Sequence, residues 1–225
     1  MIDPSESVSR ASPAQRDAPN VLGALRAATA ERHELLHTIM PLSVDSVALR
    51  DYLAHLTILR DWLAPLEAWL QHFDDGPQAA TQPSRLDRLA LIDADLTDPA
   101  AAPSTNEGTI PAPADDHPWH GPQSAAFRWG VCYVIEGSQL GGAVLYARLH
   151  ERLAPHPLGF LAAGRETLGP RWRAFVQALS AEVATPETID EACRGAAAAF
   201  DRLIDHANHA SHARCAAMAA CADAR

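Results

Sequence analysis

The run Tyr133-Val134-Ile135-Glu136-Gly137-Ser138-Gln139-Leu140-Gly141-Gly142-Ala143-Val144-Leu145 sets three glycines within six residues of an apolar pattern that otherwise reads as helix. Each glycine in a helix interior costs about 1 kcal/mol relative to alanine. The run therefore needs a reason beyond local propensity, and two are available. The helix is kinked so that its backbone can lie against something flat and bulky, or it packs closely on a neighbouring helix.

Outward from this run the pattern stays helical. From Asn20 as N-cap, Leu22, Leu25, Thr29, Arg32/His33, Leu36 and Met40 recur at steps of three and four and describe a helix face that ends before Pro41, with His33 on its inward side. A second helix is expected over 46–73, bent or divided by Pro65, and a short one over 85–96. The glycine-bearing helix spans 123–153, another carries Trp172, Phe175 and Leu179 after Pro170, and a last one covers 186–207. No segment alternates with period two for long enough to make a strand, so the expected fold is all-α, in a single domain.

Composition sets the outer limits. A chain of 225 residues, 48 % hydrophobic, suits one domain with a sizeable core. Residues 1–19 have the composition of a disordered tail, 20–207 form the expected domain, and 208–225 an Ala-rich tail. Within the domain, the Pro, Ala, Asp and Gly of 98–122 read as a surface insertion.

A formal net charge of -10, from 18 basic and 28 acidic residues, argues against nucleic acid or an anionic membrane as partner. Every basic residue is arginine, which excludes Schiff-base chemistry through lysine. The four cysteines, Cys132, Cys193, Cys215 and Cys221, are irregularly spaced and read as reduced thiols. With no apolar stretch of signal-peptide or membrane-spanning length, a cytoplasmic protein is expected.

Two segments taken together carry a resemblance. Leu25-Arg26-x-Ala28-Thr29-x-x-x-His33-x-x-Leu36 and Tyr133-Val134-x-Glu136-Gly137-Ser138-x-Leu140-Gly141-Gly142 resemble the haem oxygenase family, most nearly the bacterial members that supply biliverdin to phytochromes. The stretch from Tyr52 to Leu66 and the segment Pro170-Arg-Trp-Arg-Ala-Phe175 look like the family's second and later helices, in the expected order. The resemblance implies a helical haem oxygenase-like fold in which haem is both cofactor and substrate. With O2 and an external electron donor, a ferredoxin or similar reductant, haem would be opened to biliverdin, CO and ferrous iron, and a bacteriophytochrome is an implied partner.

It also implies roles for individual residues. His33 would ligate the haem iron from the proximal side, and Gly137, Ser138, Gly141 and Gly142 would form the distal wall, where glycines let the backbone approach the iron-bound oxygen. Ser138 stands where some relatives carry a carboxylate that organises water. Arg26, seven residues before His33 and so on the same helix face, and Tyr133 would meet the haem propionates. Arg171 or Arg173 could assist, and spacing does not choose between them. The insertion at 98–122 and the small residues of Phe160-Leu-Ala-Ala-Gly164 depart from the family pattern.

Rival readings come from the same residues. An axial histidine and a propionate clamp would equally serve a non-catalytic haem protein for storage, delivery or sensing. His33-Glu34-Leu35-Leu36-His37 spells H-E-x-x-H, the helical zinc-protease pattern, but no third ligand or substrate-holding strand accompanies it. The run His206, His209, His212, Cys215 has spacing suited to a transition metal, although a solvated helix end explains it as well.

Overall fold

The computed structural model describes residues 20–79, 81–82, 86–104, 119 and 123–223, and every regular element among them is helical. The chain runs α1 (Val21–Ile39), α2 (Leu49–Leu70), α3 (Arg88–Leu96), α4 (Ala125–Leu149), the short α5 (Gly159–Ala162), α6 (Leu168–Glu182) and α7 (Pro186–Asp223). The expected tail at 1–19 and most of the insertion at 98–122 lie outside the described residues; within the latter, Pro99–Ser104 form a 3-10 turn.

Local chemistry sets the helix starts. The Asn20 side chain accepts from the Gly23 N–H at 3.0 Å, Asp87 from Ala90 N–H at 3.0 Å and Ser124 from Phe127 N–H at 3.1 Å, each satisfying one of the first-turn donors that a helix leaves open. Two expectations change. Pro65 lies inside α2 without ending or dividing it. The last helix does not stop at 207 but continues to Asp223, in keeping with the high helix propensity of its alanines.

α7 is the central strut, and α1, α2 and α4 all pack on it. The α4 crossing is the tightest. A Cβ built on Gly130 would lie 1.8 Å from the Ala192 carbonyl oxygen, and one on Gly195 would lie 2.0 Å from that of Phe127. Two helix backbones meet here with no side chain between them. Glycine is required by packing at these two positions, neither of which belongs to the run that signals glycine use in the sequence. On α2, Leu56, Trp62, Leu63 and Leu66 are buried, and the Trp62 indole N–H donates to the Ala199 carbonyl at 2.9 Å, pinning α2 to α7.

A buried polar knot holds the chain between α4 and α6. The Asp95 carboxylate accepts from the Tyr52 hydroxyl at 2.6 Å and from the Gly159 and Phe160 N–H groups at 2.8 and 2.9 Å. The Leu158 N–H donates to His156 Nδ1 at 3.1 Å, so the ring proton sits on Nε2, which donates to the Asp95 carbonyl at 3.0 Å. All but the half-buried Gly159 are enclosed, which is where such bonds count most.

His55 of α2 is also enclosed, and its Nδ1 has no hydrogen-bond partner among the described residues. Burial pushes its imidazole down to about 4.

Two consequences follow from the packing. Gly130→Ala forces α4 off α7 and is expected to cost about 3 kcal/mol or more, at the upper end of overpacking penalties. By thermal unfolding that is a drop of roughly 6–12 °C at about 2–4 °C per kcal/mol; an unchanged melting temperature would contradict the crossing. For His55, the unfolded chain takes up a proton near 6.5 and the folded one only near 4, so stability falls as pH drops through that window, by roughly 3 kcal/mol in all. His55→Leu removes this contribution, and its unfolding free energy should fall less steeply between those pH values than that of the parent protein.

Candidate functional site

The face of α1 that meets the core consists of Val21, Leu25, Thr29 and Leu36. His33 is not on it, contrary to the sequence expectation. At 100° per residue, Arg26, Ala30, His33 and His37 fall within about 60° of one another and form a separate face, exposed along its whole length. The step of four from Thr29 to His33 adds a few tens of degrees, which carries the imidazole off the core side. Thr29 itself turns inward, and its hydroxyl donates to the Leu25 carbonyl at 2.8 Å.

α4 shows the complementary arrangement. Tyr133, Gly137, Gly141 and Val144 recur at four, four and three and share one face, and Val144 is 70 % exposed. Along this face the glycines are not packing glycines. A Cβ on Gly141 would meet nothing within 4 Å, one on Gly137 would touch only the Trp172 ring at 3.8 Å, and one on Gly142 only Leu161 at 3.6 Å. Of the two reasons for the run, close packing on a neighbouring helix is therefore removed at these three positions, and it is Gly130 that serves it. α4 remains α-helical from Ala125 to Leu149.

The two faces are turned toward each other. α1 and α4 rest on α7 rather than on one another and are linked by polar struts at both ends. At one end the Arg26 guanidinium donates to the Tyr133 hydroxyl and acts on it by charge. At the other, Arg148 of α4 donates to the Leu42 carbonyl at 2.6 Å, and Arg152, just past α4, to the Ser46 hydroxyl at 2.7 Å, both in the connection that follows α1. Because Arg26 and Tyr133 belong to the faces just described, their contact fixes the orientation of both. Phe200 of α7 lies beneath, with its ring centroid 6.2 Å from that of His33.

The electrostatics suit a neutral ligand beside an anion site. Burial lowers the His33 imidazole below its ordinary value, and neighbouring His37 lowers it further, against Glu34. His33 is thus neutral at pH 7 with a free lone pair. Burial raises the Tyr133 phenol, and Arg26 opposes the rise. Tyr133 therefore stays protonated and able to donate. The Ser138 hydroxyl donates to the Ile135 carbonyl at 2.8 Å, which leaves its lone pairs free to accept.

Three residues escape a reading of the sequence. Glu136, next to Gly137, has its Oε2 at 2.7 Å from Arg88 Nη2 and at 3.5 Å from Arg171 Nη2, with the Arg88 side chain only 1 % exposed. Of Arg171 and Arg173, which the sequence leaves as alternatives, Arg171 is paired with Glu136. Trp172 stands beside both Tyr133, at 5.8 Å between ring centroids, and Gly137. A buried arginine is rare without a partner, but spacing alone cannot say that Arg88 is buried. No group of three or more His, Cys, Asp or Glu that could hold a metal exists among the described residues, so H-E-x-x-H has no third ligand there; the Cys215 side chain of the C-terminal run lies outside them.

The family model described as heme oxygenase matches residues 20–208, from the cap of α1 well into α7. The chain belongs to the haem oxygenase family. A Xanthomonas campestris protein named heme oxygenase is 36 % identical over 97 residues, 42 % of this chain and 53 % of that protein, so the match spans about half the relative's length. The heme oxygenase of Neisseria meningitidis, solved with NO and CO bound, has the same fold, with a TM-score of 0.61 at 23 % identity over 86 % of this chain and 92 % of that one. No helix among the described residues is long and apolar enough to cross a membrane.

For a haem oxygenase, the open space above Gly141 separates folding from ligand binding. Gly141→Leu adds a side chain that meets no protein atom at its Cβ and gains about 1 kcal/mol of helix propensity. The variant should melt at or above the parent temperature, yet titration with ferric haem should show at least tenfold weaker binding. Unimpaired haem binding would place the ligand elsewhere.

Proposed function

We propose that this chain is a working haem oxygenase, which with O2 and electrons opens haem to biliverdin, CO and ferrous iron. The observation that carries the reading is the pairing of two faces that Arg26 and Tyr133 join: on α1 an exposed neutral imidazole beside the arginine, and on α4 glycines that no packing requires beside the tyrosine. That set fits haem. A neutral imidazole is an axial ligand, an Arg–Tyr pair suits carboxylates, and a wall without Cβ atoms accepts a flat macrocycle.

His33 holds the iron, and Arg26 and Tyr133 hold the propionates. Bound there, haem supplies both the iron that activates dioxygen and the macrocycle that is opened. Gly137, Gly141 and Gly142 let the α4 backbone come close to the ligand face, and Trp172 covers the side of Gly137. Ser138, with its proton committed to Ile135, accepts a hydrogen bond from a water and so orients the proton that water can deliver. A passive haem carrier has no use for such a wall.

The electron donor is a ferredoxin or similar external reductant, and the protein works in the cytoplasm, a compartment that suits the absence of disulfides at Cys132 and Cys193. The likeness of its motifs to phytochrome-associated members supports a bacteriophytochrome as the outlet for biliverdin.

Ferric haem added with ascorbate in air is expected to show a falling Soret band and a growing broad red band. His33→Ala should lose both the normal haem spectrum and turnover. A Soret band that stays constant with ascorbate and with a second reductant would make the protein a carrier, and an unaltered His33→Ala spectrum would remove His33 as ligand.

A further inference from the structure

The haem reading leaves one conspicuous group without a role. His37 lies one turn after His33 on the exposed face of α1, and the two rings are in contact, with centroids 4.6 Å apart and planes at 75°. Histidines at i and i+4 share a helix face and can converge on one point.

The spacing can be compared with what chelation demands. A metal bound at a ring nitrogen at about 2.0–2.1 Å sits about 3.2 Å from the ring centroid. Two imidazoles meeting at one ion with an angle between square-planar and tetrahedral then have centroids about 4.5–5.2 Å apart. The observed separation of 4.6 Å falls in that interval. Glu34 and the chain's net charge of -10 favour an approaching cation.

We propose that in the haem-free protein His33 and His37 together bind a borderline divalent cation of the Zn2+ type, and that this cation and haem compete for His33. Water completes the coordination, since no third ligand lies in reach among the described residues. An open two-imidazole site of this kind is bound more weakly than a structural zinc centre. The H-E-x-x-H spelling is thus a chelating pair without the apparatus of a protease. The cation occupies the axial nitrogen's lone pair, which one imidazole cannot share between two metals. A cell rich in zinc would then slow haem loading without touching the distal wall. The competition, though not the cation site, rests on His33 being the axial ligand.

The test titrates haem-free protein with ZnCl2 against a chromophoric zinc chelator, for the parent chain, His37→Ala and His33→Ala. The C-terminal histidines are common to all three, so the site is read as the difference between them. Both positions are exposed, and circular dichroism confirms that each variant folds. The parent should hold one zinc equivalent at least tenfold more tightly than either variant. Excess ferric haem should release it, and His37→Ala should take up haem as the parent does. Equal zinc titrations for the parent and His37→Ala overturn the site. Zinc that stays bound through haem saturation overturns the competition. A His33→Ala protein that loses zinc yet keeps a normal haem spectrum refutes the axial-ligand reading while leaving the cation site standing.

Discussion

The molecule depends on a backbone-to-backbone contact. Gly130 and Gly195 let α4 and α7 cross with carbonyl oxygens where side chains would otherwise be, and the crossing sets how close α4 lies to the strut that also carries α1. α1 and α4 are thus each placed by α7, and Arg26 and Tyr133 meet between them. Packed interiors deform little, so a shift of α4 at Gly130 would be transmitted along its length to Gly137 and Gly141.

Buried polar clusters stiffen the flanks of this frame. Arg88 and Arg171 converge on Glu136 directly behind the glycine face, and Asp95 gathers Tyr52, Gly159, Phe160 and His156 at the base of α5. Removing one partner from such a cluster strands a charge in a dry environment, which is far costlier than the pair's net contribution to stability. Their value lies in direction: Glu136 cannot turn without leaving two guanidiniums behind, and Gly137 is its neighbour in the chain. The apolar interior supplies the bulk of stability, and these clusters fix how the elements around them are placed.

The glycines show how one residue type can serve two physical ends within one helix. At Gly130 the missing Cβ makes room for protein. At Gly141 it faces open space, and at Gly137 the nearest atoms belong to the edge of an aromatic ring. Periodicity cannot distinguish these cases, because both present as a propensity defect of the same size. The same ambiguity surrounds His33, whose place between Thr29 and Leu36 suggests an inward side chain, although a rotation of a few tens of degrees exposes it.

Helix order, the Asn20 cap, the absence of strands among the described residues and the family signature around His33 and Gly137 were legible in the sequence, because helical period, capping chemistry and motif spacing are local properties of the chain. The tertiary structure alone decided that Gly130 and Gly195 make the crossing, that Arg26 reaches Tyr133, that Arg88 and Arg171 converge on Glu136, and that His33 lies on an exposed face of α1 rather than in the core. These are contacts between positions as much as 107 residues apart, as with Arg26 and Tyr133. They arise from where rigid helices come to rest on one another, which no local pattern encodes.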